Sequence, residues 1–319
     1  MKKTIIAAAV AAAVAAPAAF ADVSISGMVN PEFIDKDGTG ASNGWNASSI
    51  NTDLVFKASE DLGNGMKATA KIHYFADTTD QAMNNGSGNT ESQATADLSL
   101  TVSGDFGSVV TGRFEPASEG VIDAFVNVDA SHDLDLENSL EGQIGRSNNG
   151  LAYMSPSMNG LSVGVGVFAG ASSVVADDSF SGAQEVFVKY SNGPLMVMAN
   201  QTTVDGTGTA AVDNVSDVEK TISAVAASYK MGDLELRAMS RTYEANGSTD
   251  KDSKFFGAKY TMGANTFAVG MLDNDTAATD AEIYSVSHAL SKNTSVYVTA
   301  LSSDATDGDQ TAFGIVQKF

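Results

Sequence analysis

The residues best suited to chemistry are acidic side chains concentrated in one segment, residues 115–145. The segment has eight carboxylates and neither lysine nor arginine: Glu115, Glu119, Asp123, Asp129, Asp133, Asp135, Glu137 and Glu141. Such a segment would attract cations and repel anions electrostatically if it bordered a path for solutes. The same residues would also suit an ordinary solvated loop surface, so their role depends on the elements that position them.

The other motifs give little support for catalysis or metal binding. The chain has no cysteine, which excludes a thiolate nucleophile, a thiolate metal site and a disulfide framework. Its three histidines, His73, His132 and His288, lack metal-ligand spacing. A G-x-S-x-G match at residues 40–44 lies in a loop that leads into a strand, whereas a nucleophile elbow needs a strand before it and a helix after it. We therefore expect no catalytic residue, no metal site and no cofactor.

The chain is strongly acidic, which narrows the classes of partner. Its 319 residues contain 18 Lys and Arg against 39 Asp and Glu, a net charge of −21. This balance argues against nucleic-acid binding, which needs clustered basic side chains to neutralise phosphates. A hydrophobic content of 43% is typical of a folded chain rather than a disordered one.

The N-terminal residues have the three parts of a secretory signal peptide. Two lysines precede an uninterrupted apolar run over residues 5–16, and Ala19-Phe20-Ala21 is a small-x-small cleavage site. We therefore predict that residues 1–21 are a signal peptide and that residues 22–319 form one exported domain. Beyond the signal peptide no stretch approaches the roughly 20 apolar residues of a transmembrane helix, so any membrane span must consist of strands.

The exported domain alternates apolar and polar residues with a period of two, which predicts strands with two different faces. Along residues 66–74, for example, the even positions are mostly apolar, while Lys67, Lys71 and His73 lie on the other face. Seven tight turns rich in Gly, Asn and Asp alternate with eight longer polar loops, and these fifteen connections join sixteen strands. An even strand number with short turns on one side and long loops on the other is typical of an outer-membrane barrel. The predicted fold is all-β: a transmembrane antiparallel β-barrel of sixteen strands.

Several stretches resemble the trimeric general porins of Gram-negative outer membranes. The most specific are Ser59–Ala68, Ser103–Gly107 followed by Gly112-Arg113, Arg146–Asn149, Tyr153–Pro156, Ala289–Thr294 and the terminal Phe319. Together they extend the resemblance over essentially the whole exported domain. It implies a water-filled homotrimeric barrel in the outer membrane. It also implies that the third external loop, here residues 115–145, folds inward and narrows the lumen.

The resemblance also assigns roles to individual residues. A basic ladder on the barrel wall would face the acidic loop, and Arg113 and Arg146 match two of its positions; alternation independently places both on the polar side of their strands. Asp53 stands where many relatives have an arginine. The predicted constriction residues are Arg113, Arg146, Asp53, Asp123, Asp129, Asp133, Asp135 and Glu137. Further inward basic candidates are Lys57, Lys67, Lys71, Arg237 and Arg241. The acidic excess predicts a preference for cations, although the two arginines would equally serve to pin the loop to the wall.

The predicted function is passive diffusion of small hydrophilic solutes and ions through the pore, without enzymatic activity. Besides the homotrimer, the expected partners are outer-membrane lipid, lipopolysaccharide, and the barrel-assembly machinery, which would recognise the C-terminal strand with Phe319 as its signal. Two other interpretations stay open from the sequence. One is an outer-membrane hydrolase barrel, and the other is a surface β-sandwich adhesin.

Overall fold

The computed structural model describes residues 22–37, 44–48, 52–76, 95–128, 131, 134, 136–140, 146–169, 182–204, 219–275, 280–304 and 308–319. The predicted signal peptide, residues 1–21, lies outside these ranges. Within them the chain forms eighteen strand segments, one α-helix and one 3₁₀ helix. No helix in the described ranges has the length and hydrophobicity needed to cross a membrane.

The first nine strands are β1 (Asp22–Val29), β2 (Glu32–Asp37), β3 (Gly44–Ser48), β4 (Thr52–Gly63), β5 (Met66–Ala76), β6 (Thr95–Gly104), β7 (Gly107–Phe114), β8 (Ser147–Met154) and β9 (Leu161–Phe168). The others are β10 (Ala183–Asn192), β11 (Leu195–Val204), β12 (Lys220–Met231), β13 (Leu234–Ala245), β14 (Lys251–Met262), β15 (Asn265–Asn274), β16 (Ala281–Ala289), β17 (Thr294–Ser303) and β18 (Asp309–Lys318). Between β7 and β8 lie helix α1 (Ala117–Phe125) and the 3₁₀ helix Leu136–Ser139.

The eighteen segments form a closed antiparallel barrel of sixteen strands. β1 and β2 are one strand interrupted at Asn30 and Pro31, because proline has no N–H to contribute to the ladder. β3 and β4 together form its neighbour, since β3 pairs with β2 and β4 pairs with β1. β18 pairs with both β1 and β2, which joins the last strand to the first and leaves no free edge. The predicted strand number is confirmed.

The predicted alternation of short turns and long connections is also present. After β4, each pair of strands on the short-turn side is joined by only a few residues. In the first of these turns, Gly63, Asn64 and Gly65 have φ of 78°, 52° and 74°. Glycine and asparagine tolerate this left-handed conformation better than other residues, so the turn sequence explains its tightness.

The two faces of the barrel wall differ sharply in how they are covered. On β14, Phe255 is 0% exposed, whereas the next residue, Phe256, is 60% exposed. The exposed face carries large apolar side chains on nearly every strand, including Val225, Met271 and Val298. On the opposite face, apolar wall residues form a buried cluster with residues of the segment that contains α1. A bare apolar outer face is what a membrane barrel presents to lipid.

Candidate functional site

The α1 segment is packed against the barrel wall through its apolar side. α1 contacts strands β10 to β13, and the 3₁₀ helix contacts β15 and β16. Val121 and Phe125 of α1 are both 0% exposed, and they share the buried cluster with Phe255 and Ile283 of the wall. Burial of a whole phenylalanine side chain contributes about 1.5–3 kcal/mol. Hydrophobic packing therefore holds the acidic segment on the covered face of the sheet.

Four polar contacts from four different strands fix the same segment along its length. Two groups of the segment donate to wall carboxylates: the Ala117 N–H to Glu185 of β10 (2.8 Å) and the Ser131 hydroxyl to Glu32 of β2 (2.6 Å). Two carbonyls of the segment accept from wall side chains: Asn127 from the Arg237 guanidinium of β13 (3.0 Å) and Ser139 from the Asn274 amide of β15 (3.2 Å). The segment is thus tied to widely separated parts of the wall.

Glu185 of β10 acts as the N-terminal cap of α1. Pro116 occupies the cap position and offers no side-chain acceptor, so the free N–H at the helix start is satisfied from β10. Glu185 pairs across the sheet with Gly166, and a Cβ at Gly166 would come within 2.8 Å of the Glu185 carboxylate. The glycine therefore leaves the room that the capping side chain needs.

The described carboxylates of the segment lie close together. The Asn127 amide donates to Asp123 Oδ1 (3.3 Å) and to Glu137 Oε2 (3.0 Å), which links α1 to the 3₁₀ helix. Glu115 and Glu119 interact electrostatically with Asp123. The structure thus brings together Asp123 and Glu137, two of the predicted constriction residues, with two more acids of the same segment.

Burial, together with this crowding, raises the pKa of three of the acids, Glu115, Glu119 and Asp123. Burial, followed by the charge of Glu137, raises the pKa of Glu119 to about 8. Burial and the charge of Asp123 also raise the pKa of Glu115, against the opposing effect of Arg146. Glu119 is only 8% exposed, and its Oε2 has no hydrogen-bond partner within the described part of the chain. At neutral pH, Glu119 is therefore mostly uncharged.

Arg113 lies in a β-bulge at the end of β7. The register between β7 and β8 shifts between Gly112 and Phe114, and such a bulge re-aims the side chain of the extra residue. Arg113 Nη1 donates to Asn148 Oδ1 (2.9 Å) and to the Arg146 carbonyl (3.4 Å). These contacts hold the two predicted arginines beside each other.

Arg146 contacts both the wall and the acidic segment. Its Nε lies 3.3 Å from Asp97 Oδ1, as an ion pair without hydrogen-bond alignment, and its Nη2 lies 3.8 Å from Glu115 Oε1. The guanidinium also stacks over the Phe75 ring, with Cζ 5.0 Å from the centroid. Arg146 therefore connects the wall to the start of the acidic segment.

The Asp53 carboxylate contacts the imidazole ring of His73. Its Oδ1 lies 3.0 Å from His73 Nε2, and the other ring nitrogen of His73 lies 3.3 Å from Asp97 Oδ2. Lys71 donates to the same Asp97 oxygen. Asp53 is thus one end of a charged network over three strands that also reaches Arg146.

Three predicted constriction residues, Asp129, Asp133 and Asp135, lie outside the described residues. Phe319, the predicted assembly signal, lies at the barrel seam. Its N–H donates to the Gly27 carbonyl (3.0 Å), and its own carbonyl accepts from Gly27 N–H (3.1 Å). The C-terminus therefore completes the closure between the last strand and β1.

Sequence reasoning missed the wall residues that organise the site: Glu32, His73, Asp97 and Glu185. Alternation was the available signal, since it places His73 and Asp97 on the polar face of their strands. It does not indicate which polar residues become buried contacts, because that depends on neighbours distant in sequence.

The comparisons with known proteins agree with this architecture. A family model described as Gram-negative porin matches residues 7–308. The outer membrane porin protein 32 of Delftia acidovorans is 29% identical, and the alignment covers 93% of this chain and 88% of the relative.

Solved structures share the fold. The anion-selective porin from Comamonas acidovorans aligns with a TM-score of 0.68 at 20% identity, over 94% of this chain and 100% of that one. The trimer form of OmpT from Vibrio cholerae aligns with a TM-score of 0.62 at 13% identity, over 94% of this chain and 99% of that one. Neither a hydrolase barrel nor a sandwich adhesin is favoured by these relatives. The chain belongs to the Gram-negative porin family, and it is an outer-membrane β-barrel that acts as a passive channel rather than as an enzyme.

Proposed function

We propose that the protein is a general-diffusion porin that passes small hydrophilic solutes and ions and prefers cations. The observation that carries the proposal is the position of the acidic segment. Residues of α1 are fully buried against the face of the wall that is opposite the exposed apolar face. In a closed barrel whose apolar face meets lipid, the opposite face borders the lumen. Segment 115–145 then narrows the channel and lines it with carboxylates.

The charge balance at this constriction supports the cation preference. The described part of the segment contributes Asp123 and Glu137, together with Glu115 and Glu119, whose raised pKa values reduce their charge at neutral pH, and the whole segment has no lysine or arginine. Asp129, Asp133 and Asp135 add three more carboxylates from its central part. On the wall, Arg146 contacts the segment at Glu115 but is shared with Asp97, and Arg113 lies beside it. The negative charge therefore exceeds the positive charge, and cations are favoured.

The proposed assembly is a homotrimer in the outer membrane, in contact with lipid and lipopolysaccharide. Its support is the fold shared with the trimer form of OmpT, an outer membrane protein of Vibrio cholerae. The position of Phe319 at the seam, with its side chain exposed, supports a role of the C-terminal strand in recognition by the barrel-assembly machinery.

Planar-bilayer recordings test this proposal. The purified protein in a tenfold KCl gradient should show a reversal potential of the sign that indicates K⁺ permeation. Changing both Asp133 and Asp135 to Asn should reduce the K⁺ preference, whereas the exposed Asp309 at the start of β18, changed to Asn, serves as a matched control. A wild-type reversal potential of the opposite sign would refute the cation preference, and unchanged selectivity in the double variant would remove those two residues from the constriction.

A further inference from the structure

His73 lies on β5 between carboxylates of the two neighbouring strands. It pairs directly across the sheet with Asp97 of β6 and with Val55 of β4, so Asp53 is a diagonal neighbour two residues along β4. Its Nε2 is 3.0 Å from Asp53 Oδ1, and its Nδ1 is 3.3 Å from Asp97 Oδ2. The imidazole ring thus bridges three adjacent strands.

The two partners determine which form of the ring fits. A neutral imidazole has one N–H donor and one acceptor nitrogen, so it would direct a lone pair at one of the carboxylates. An imidazolium has two donors and satisfies both. Ionised carboxylates only accept hydrogen bonds, and Asp97 already serves Lys71 as an acceptor. The geometry therefore matches a positively charged His73.

The other groups around the ring are also charged or aromatic. Lys71 lies on the same strand, Arg146 reaches Asp97 from the start of β8, and Phe75 packs edge-on with its centroid 4.7 Å from that of His73. Lys71 and Arg146 both contact Asp97, so an imidazolium at His73 supplies the positive partner of Asp53. With a neutral ring, Asp53 would lose this positive partner.

We propose that His73 is a selectivity-determining residue of the pore, because its positive charge neutralises Asp53. Asp53 would otherwise add a carboxylate to the wall that faces the acidic segment. This inference rests on the proposed function, since it takes the polar face of β4 to β6 to border the lumen. In this proposal the positive charge of His73 compensates Asp53, so this part of the wall repels anions less strongly than the acidic segment does.

The test compares charge-changing variants in planar bilayers at pH 7. Replacing His73→Gln should raise the K⁺/Cl⁻ permeability ratio by up to about seven-fold, because one unit charge about 7 Å from an ion in water changes the occupancy of K⁺ and of Cl⁻ about two- to three-fold each, in opposite directions. His73→Lys should keep the wild-type ratio, and the double variant H73Q with D53N should return to it. His288→Gln is the matched control, because His288 also contacts a side-chain oxygen, Asn265 Oδ1 at 2.8 Å, but lies exposed near the end of β16.

A ratio that is unchanged in His73→Gln, or altered equally in His73→Lys, would overturn the inference. ¹⁵N spectra of histidine-labelled wild-type protein provide a readout that does not depend on folding of a variant. Two protonated ring nitrogens in His73 are expected at pH 7, and a neutral tautomer would overturn the proposal. If the wild type preferred anions, the proposed function would fail, whereas the difference between wild type and His73→Gln would still decide the role of His73.

Discussion

Raising the pH from 6 to 9 should increase the cation preference of the channel through Glu119. Burial, followed by the Glu137 charge, raises the pKa of Glu119 to about 8, and the nearby Arg241 opposes this effect only in part. A group with this pKa is about one per cent ionised at pH 6, half ionised at pH 8 and about nine-tenths ionised at pH 9. The constriction therefore gains nearly one negative charge over this range.

The expected size of the effect follows from the charge and its position. One unit charge about 7 Å from the ion path in water changes the energy of a monovalent ion by about 0.6 kcal/mol, or two- to three-fold in its occupancy. Because K⁺ and Cl⁻ respond in opposite directions, the K⁺/Cl⁻ permeability ratio should rise by up to about six-fold, with a midpoint near pH 8. Glu115 has a raised pKa for a similar reason, so part of the rise should begin at lower pH.

The raised pKa of Glu119 also makes the stability of the folded protein depend on pH. The pKa of Glu119 is raised above its unfolded value of 4.5, so the folded protein holds this proton more tightly than the unfolded chain does. Stability from this group is full below the unfolded pKa and is lost as pH rises through about 8. The loss across this window amounts to about 5 kcal/mol at most, and it should loosen α1 first because Glu119 lies at the helix–wall contact.

Reversal potentials in a tenfold KCl gradient at pH 6, 7, 8 and 9 measure the effect. Glu119→Gln keeps the shape of the side chain and should lose the rise centred near pH 8. Glu60→Gln is the control, because Glu60 is exposed near the first short turn and should leave the profile unchanged. A wild-type ratio that is flat between pH 7 and 9, or a Glu119→Gln profile identical to wild type, would refute the reasoning.

Three further substitutions test the anchoring and charge of the site. Phe125→Ala removes a fully buried ring and should cost about 3–5 kcal/mol, seen as a lower unfolding temperature in detergent, whereas Phe256→Ala on the exposed face should cost much less. Glu185→Ala removes the cap of α1, worth about 1 kcal/mol, and should increase open-channel noise in single-channel recordings; quiet channels would contradict the capping role. Arg146→Gln leaves Asp97 and Glu115 less compensated and should raise the K⁺/Cl⁻ ratio by up to about seven-fold in reversal potentials, and an unchanged or lower ratio would contradict its placement.

Much of the fold could be predicted from the sequence because its signals are local. Alternation gives each strand two faces, turn residues mark the short connections, and Pro31 interrupts the first strand for lack of an N–H. The acidic character of segment 115–145 is likewise visible in composition alone. The pairing of His73 with Asp53 and Asp97 is different, since it depends on cross-strand register. The register between β5 and β6 shifts between His73 and Tyr74, and this shift determines which β6 side chains lie opposite β5. The local sequence contains no signal that predicts the shift.

The anchors of the acidic segment illustrate the same limit. Glu185 lies 68 residues from the helix N-terminus that it caps, and Glu32 lies 99 residues from Ser131. Each is a polar residue on a polar face, as expected for a strand that borders water. Only the closed barrel brings them onto the segment, and only then does their charge become a positioning contact.

The fold alone does not determine which ions pass. The Comamonas porin shares this architecture and is anion-selective, so the cation preference proposed for this chain would have to reside in side chains rather than in the barrel. Along this wall, Lys71, His73 and Arg146 form ion-pair contacts with Asp53, Asp97 and Glu115. Arg237 is likewise paired with Glu235. Segment 115–145 contains no lysine or arginine, and Lys71, Arg146 and Arg237 of the wall already contact acidic partners, so the proposed constriction would keep a negative field that favours cations.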